Sequence, residues 1–344
     1  MNYTERVSGN AVFVTLVRHG ESEANREKRW QGQTDSPLSA LGQEQARTLR
    51  ARLAPERFRR VVTSDLRRAR DTAGALGVAL ETTEALREFD VGRWEGLTQE
   101  EVARQFPEEL DGLKRGKDVR LGGGESMSLF RARVGRAYRD LLASLEPGDH
   151  ALIVAHGGVI ASILAGALGF SRGKDWVLSR PANASVSSLA HRPSRVDLEV
   201  FNDTLHLAPL GGFAPLAGMD GLIALVCDQA GADSFGPFGA SYELERDFAG
   251  APERLDALEA ALDQLEAKHA ATRVQLRADG RLIHDWVRRL MWPHGNESGA
   301  ELRGPLSASL AHVGRSQGRR LVFDYGVVAL PAESADEAPS KSSV

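Results

Sequence analysis

Cysteine is all but absent from this chain of 344 residues. The single one, Cys227, excludes an intrachain disulfide and leaves no second thiol for a cysteine-based metal site. A reducing, cytoplasmic location is the resulting expectation. Long apolar runs are missing as well, since nothing approaches the roughly 18 consecutive apolar residues needed to cross a bilayer. The opening Met1-Asn2-Tyr3-Thr4-Glu5-Arg6 lacks the basic-then-apolar order of a signal peptide. Both absences predict a soluble protein with no membrane partner. Charge of one sign is scarce too: 43 Lys and Arg stand against 47 Asp and Glu, a net −4, which gives no global reason to expect nucleic acid. From residue 209 onward there are 13 basic and 19 acidic side chains, against 30 and 28 before it. That acidic part shows no basic, aromatic-interleaved stretch, so no nucleic-acid partner is expected.

What is present is ordinary globular material. Hydrophobic residues make up 42% of the chain and charged ones 26%, enough to build real cores, and the length suggests about two domains. Residues 11–17, a β-branched and nearly continuous apolar run, have the form of a strand covered on both faces. A helix from Ser39 to Ala54 follows, with Ser39 as its N-cap and Leu41, Ala46, Leu49 and Leu53 at near-helical spacing. Next come a strand at residues 60–63, a helix from Leu66 to about Leu76 capped by Ser64-Asp65, and a long helix from Ser126 to about Leu145. A strand at residues 151–155 then precedes a helix after Gly157-Gly158. This alternation predicts an α/β fold: a doubly wound, mostly parallel sheet with helices on both faces. Strand-like residues 184–189 and 196–201 close the region at about residue 208.

A Gly/Pro/Ala-rich linker is expected at 209–218, and a smaller C-terminal α+β domain at 219–330. Its expected elements are a strand at 221–227, a helix opened by Pro252, a second helix marked by Leu282, Ile283, Trp286 and Leu290, and a strand at 320–330. The seam Leu255, Leu258, Leu262 and Leu265 is too short for a coiled coil and suits a helical hairpin core. Residues 331–344, rich in Ala, Ser, Glu and Pro, are expected to form a disordered tail.

Four segments in residues 1–208 place Arg, His and Glu at strand ends or on the loops beyond them: Arg18-His19-Gly20, Thr63 to Ala69, Arg87-Glu88 and His156-Gly157-Gly158. In a doubly wound sheet these ends converge. Two arginines and two histidines around one point suit a tetrahedral oxyanion, because guanidinium groups fork onto phosphate oxygens and stay charged. Glycines after each histidine would let backbone N–H groups approach the anion, and the helix start at Gly157 would add its positive end. Local pattern leaves some choices open. Arg67, Arg68 and Arg70 compete for one role, and Glu88, Asp90 and Glu95 for another. His150, His191, His269, His284, His294 and His312 match nothing and are expected at the surface or in packing, while His206 is expected to end a strand. Gly122-Gly123-Gly124 lacks the lysine and the strand-before-loop context of a nucleotide loop, and Ser126 beside Glu125 serves as a helix cap.

Taken in order, these segments resemble the histidine phosphatase superfamily, its phosphoglycerate-mutase-like branch. The resemblance rests on Arg18-His19-Gly20, Asn25, residues 30–38, Ser64-Asp65-Leu66 before Arg68, Glu88 with residues 94–98, Gly124-Glu125-Ser126, His156 and residues 202–207, and it covers about residues 11–208. It selects Arg68 and Glu88. The resemblance implies that His19 attacks phosphorus and forms a phosphohistidine, that Arg18, Arg68 and His156 hold the equatorial oxygens, and that Asn25, Gln31, Gly32 and Gly157 add phosphate contacts. Glu88 would act first as acid and then as base. His19 must be neutral to attack, and Arg18 and Arg68 would lower its pKa. No cofactor and no metal is called for, since positioned cations can offset the charge.

Within the family, the segment after Glu88 is acidic and aromatic, with Arg93 alone able to grip a second anionic group. Together with residues 31–38 it points to a metal-independent phosphomonoester hydrolase acting on a small phosphorylated substrate. The alternatives are a cofactor-dependent phosphoglycerate mutase and a phosphoester-binding or regulatory module with little catalysis.

Overall fold

The computed structural model describes residues 10–170, 178–210, 223–227, 240–243, 251–268, 274–278, 280–291, 301–302, 310–316 and 319–327. The first strand, β1 (Val12–Arg18), leads through the short α1 (Glu23–Arg26) to α2 (Ala40–Leu53). Then come β2 (Arg60–Ser64), α3 (Arg67–Gly74), β3 (Glu81–Thr83), α4 (Gln99–Gln105), α5 (Pro107–Lys114), α6 (Met127–Ala143), β4 (His150–Ala155) and α7 (Gly157–Ala167). β5 (Val186–Arg192) and β6 (Arg195–Asp203) follow, and a 3-10 helix spans Leu205–Leu210. Parallel pairs join β3 to β2, β2 to β4 and β4 to β1, whereas β5 and β6 add on antiparallel. The expected α/β sheet is therefore present, parallel at its centre and mixed at one side.

Every residue of β4 is buried, as are six of the seven in β1. The alternation of a strand explains why both needed near-continuous apolar sequence. Val14, Leu16, Ile153 and Ala155 face α6 and α7, while Val17, Leu152 and Val154 face α2 and α3. Helix starts follow their sequence signals in two cases: Ser39 accepts from the Gly42 N–H at 3.0 Å, and Ser126 accepts from the Leu129 N–H. At α3 the signal misleads. Leu66 is the N-cap residue and makes no side-chain cap, Ser64 accepts from the Leu66 N–H instead, and the Asp65 carboxylate is drawn away to Arg87 at 2.5 Å.

The remaining elements are β7 (Ile223–Cys227), β8 (Ala240–Glu243), α8 (Ala251–Lys268), β9 (Val274–Ala278), α9 (Gly280–Met291), β10 (Glu301–Leu302), β11 (Leu310–Ser316) and β12 (Arg319–Val327). These strands continue the sheet in the order β6-β12-β11-β7-β9-β8. Tyr325 of β12 pairs antiparallel with Phe201 of β6, and Glu301 and Leu302 of β10 pair with Asp197 and Leu198. Leu258, Leu262 and Leu265 of α8 are buried in one cluster with Leu282, Ile283 and Trp286 of α9. Pro209 of the expected linker falls in the 3-10 helix, and residues 211–218 and the expected tail at 331–344 lie outside the described residues. Among the described residues no helix is long and apolar enough to cross a membrane.

Of the unassigned histidines, His150 and His191 are packing groups, whereas His284 is partly exposed and bonds the Asp285 carboxylate at 3.2 Å. His150 sits edge-on to Phe13 and Phe58 and bonds Thr15 Oγ1 at 2.9 Å, and His191 meets the Tyr138 hydroxyl at 2.7 Å. His206 does not end a strand. It lies buried in the 3-10 helix after β6, which follows Asp203, whose carboxylate is held by Arg52 of α2 at 2.6 Å.

Candidate active site

The carboxyl ends of β1, β2 and β4 open onto one cleft of about 740 Å3. Arg18 is the last residue of β1, His19 follows it, Arg68 lies in the first turn of α3 after β2, and His156 is the N-cap residue of α7 after β4. All four are nearly inaccessible, and the His19 and His156 rings stand edge to face with centroids 5.2 Å apart. The structure thus brings together the residues that the sequence places on separate segments. It also separates the arginines: Arg68 is 1% exposed, while Arg67 and Arg70 lie outside.

His19 has a fixed tautomer. Its Nδ1 lies 2.7 Å from the Gly20 carbonyl oxygen, and a carbonyl can only accept, so Nδ1 carries the hydrogen and Nε2 carries the lone pair. Burial first, then Arg68 and Arg18, holds its pKa well below the ordinary histidine value. His156 is lowered for the same leading reason, with Arg68 next. Positive charge in the site therefore resides on guanidinium groups. Burial and neighbouring Arg180 bring Arg18 down to about 9, and burial brings Arg68 to about 10, values that keep both cationic at neutral pH.

Several donors here have no protein partner. Arg18 gives Nη1 to the Pro181 carbonyl at 2.7 Å, and Arg68 gives Nη1 and Nη2 to the carbonyls of Thr34 and Gly32 at 2.7 and 2.9 Å. Their Nε atoms and both ring nitrogens of His156 remain unsatisfied although buried. Orphaned buried groups are costly, and convergent N–H donors of this kind suit a tetrahedral oxyanion. Asn25 and Gln31 also line the cleft. Asn25 Oδ1 accepts from the Asn183 amide and the Ser22 backbone, and the Ser22 hydroxyl hydrogen lies between Asn25 Oδ1 and Gln31 Oε1 at 3.0 and 2.7 Å. With both carbonyl oxygens engaged, the two side chains have NH2 groups to offer.

One expectation needs correction. The Gly20 N–H is not offered to an anion; it donates to Thr72 Oγ1 at 3.0 Å. Glycine is required there by packing, because a Cβ would sit 2.5 Å from the Gly42 carbonyl oxygen on α2. At Gly157, Arg180 Nε and Arg18 Nε lie 3.3 and 3.4 Å from where a Cβ would be, so both guanidinium groups crowd the helix start.

Glu88 accepts from the N–H groups of Phe89 and Gly158 at 2.9 and 3.0 Å and lines the cleft. A Cβ at residue 158 would come within 2.3 Å of Glu88 Oε1, so this glycine admits the carboxylate. The rival carboxylates are occupied elsewhere. Glu95 accepts from the Gln33 N–H and the Thr34 hydroxyl, each at 2.6 Å, tying down the loop that carries Gln31 and Gly32, and Asp90 accepts from the Gly92 N–H. Gly122 and Gly124 press against the Asp90–Trp94 backbone, and Gly123 between them takes a φ of +87° that favours glycine.

Sequence reading missed three residues. Arg180 and Asn183 come from the loop before β5, and Asn183 also donates to the His19 carbonyl at 3.1 Å. Arg133 grips Glu125 with two 2.8 Å bonds and donates to the carbonyls of Ala85, Arg87 and Glu88, fixing the Glu88 loop. Glu125 lies before the Ser126 cap and outside α6, so no helical spacing pairs it with Arg133. No periodicity marks the other two.

Neutral buried histidines make stability depend on pH. A histidine whose folded pKa lies below its unfolded value near 6.5 takes up its proton mainly when unfolded, so stability is full above that value and falls below it. Burial lowers His206 to about 4, which sets a window from about pH 6.5 to about pH 4. Each such group, His19 and His156 included, contributes up to about 1.4 kcal/mol per pH unit within its window. Thermal melts should show a clear drop in Tm between pH 7 and pH 5; equal melting temperatures would mean these rings are not held neutral.

Over residues 14–204 the chain matches the family profile of the histidine phosphatase superfamily, branch 1. A probable phosphoglycerate mutase GpmB from Serratia proteamaculans is 38% identical over 191 residues, covering 53% of this chain and 86% of the relative. Among solved structures, the mycobacterial glucosyl-3-phosphoglycerate phosphatase complexed with VO3 is 32% identical, with a TM-score of 0.51 over 57% of this chain and 100% of its own. A putative alpha-ribazole-5'-P phosphatase from Escherichia coli is 26% identical, with a TM-score of 0.52 over 56% and 97%. The profile matches residues 14–204, and the relative and structures cover 53 to 57% of the chain: the chain belongs to the histidine phosphatase superfamily, branch 1.

Proposed function

We propose that this chain is a metal-independent phosphomonoester hydrolase working through a phosphohistidine. The observation that carries the reading is the fixed tautomer of His19 beside unpartnered Arg18, Arg68 and His156 donors. His19 Nε2 attacks phosphorus, the P–O bond to the alcohol breaks, and Glu88 gives its proton to the leaving oxygen. Gly20 keeps the Nδ1 hydrogen bonded throughout, which supports the positive charge that develops on the ring. Water then attacks the phosphohistidine, Glu88 takes its proton, and the N–P bond breaks. Arg18 and Arg68 offset the equatorial charge, with Arg180 as a third guanidinium at the same pole.

Hydrolysis is favoured over mutase chemistry by the placement of Arg93. It stacks over Phe106 at 5.0 Å, bonds the Gly122 carbonyl and faces Glu109, so it is not among the cleft-lining residues where a second phosphate would be gripped. Lys28 and Arg131 at the cleft are the features that favour the mutase reading. A phosphomonoester panel with a chelator present should release phosphate without added metal. The hydrolase reading fails if no ester is cleaved and phosphoglycerates interconvert after priming with bisphosphoglycerate. A phosphoenzyme trapped at His19 would set aside the purely binding module.

A further inference from the structure

A cleft of about 740 Å3 is of the size that holds drug-like ligands, and a phosphoryl group fills only its inner pole. In-line displacement sets the direction in which the rest of the substrate extends. The leaving oxygen must lie opposite His19, within reach of the proton donor, so the organic group emerges beside Glu88.

Besides the polar Lys28, Gln99, Arg131 and Ser162, the cleft lining holds an apolar set that begins next to Glu88. Phe89 follows it in sequence and packs on Phe130 with ring centroids 5.0 Å apart and planes at 31°. Met127 and Val91 line the same cleft, as do Ala161 and Ala165 from α7, whose small side chains leave the space open. Phe130 and Val91 belong to two separate hydrophobic clusters, and Phe89 packs against both. The wall is therefore rigidly backed. A hydrated leaving group such as glycerate would have to give up water there without return.

We propose, building on the hydrolase reading, that this wall is the leaving-group subsite and that the preferred substrates are phosphomonoesters of apolar alcohols, with an alkyl chain or ring next to the ester oxygen. In the n-alkyl phosphates from ethyl to pentyl, leaving-group basicity is nearly constant, so chain length reports on binding rather than on chemistry. On the wild-type enzyme kcat/KM should rise about fourfold per methylene, the value of burying one CH2 group. Pentyl phosphate should also exceed 3-phosphoglycerate, whose carboxylate would go to Lys28 or Arg131. Ala161→Leu, which fills the slot, should cut the pentyl-to-ethyl ratio by about tenfold, and Met127→Gln provides the same readout should the first variant not fold.

Calorimetry with the matching n-alkyl phosphonates separates the two claims. Turnover with no dependence on chain length, or a preference for 3-phosphoglycerate, overturns the apolar subsite and leaves the hydrolase standing. Phosphonate affinity that climbs with length in a protein without turnover removes the hydrolase and leaves the subsite.

Discussion

His19→Ala is expected to lower kcat on the order of 10^4-fold or more, the scale at which nucleophile removal acts in enzymes whose catalytic residues work as a unit. The loss should be in chemistry and not in folding. The ring lies at a strand end, edge-on to His156, and its Nδ1 bonds its own neighbour's carbonyl. Because Arg18, Arg68 and His156 stay in place, phosphate or vanadate should still bind the variant. Rapid quenching of wild type during turnover should yield an acid-labile, alkali-stable phosphoenzyme that the variant lacks. A variant retaining more than about a hundredth of wild-type kcat would rule out nucleophilic catalysis at this position.

Glu88→Gln should be the second most damaging change, about 10^2- to 10^4-fold on alkyl phosphates, the usual worth of a general acid. Its diagnostic is the leaving group. Nitrophenolate departs without protonation, so phosphoenzyme formation from nitrophenyl phosphate should be nearly spared, whereas its breakdown still needs a base. Phosphohistidine should therefore accumulate in the variant. Glutamine keeps one oxygen for either the Phe89 or the Gly158 N–H, which Glu88 takes on Oε1 and Oε2 respectively, so one of these two bonds is lost in the variant. Equal losses on alkyl and nitrophenyl esters would move the acid elsewhere. Asp90→Asn and Glu95→Gln are the controls and should show no leaving-group dependence, since those carboxylates hold backbone and loop groups.

Much of this site was legible because its chemistry sits at strand ends, where sequence order and spatial convergence are linked. Strand apolarity located Arg18, His19 and His156, and family spacing picked Arg68 from three arginines. What escaped was set by contacts distant in sequence. Gly20 reads as an anion contact until α2 is present, and then its missing Cβ answers to Gly42. Asp65 reads as a helix cap until Arg87 is near enough to take it. Arg180 and Asn183 lie on an irregular loop with no period to read, yet that loop wraps the end of β1. In the C-terminal part β7, α8, α9 and β12 were anticipated from local pattern, but β8, β9, β10 and β11 were not, and the joining onto β6 could not be, because pairing partners are not written in either strand alone.

That junction bears on how the protein can be handled. Without β10 and β12, the outer row of N–H and C=O groups on β6 around Asp197, Leu198 and Phe201 would face water. An unpaired edge is a template for another chain, and sheets that end in one tend to aggregate or swap strands. The added residues thus cover an edge of the half that matches the histidine phosphatase family. A fragment cut near residue 208 would keep Arg18, His19, Arg68, Glu88 and His156 while gaining a surface that recruits its own copies.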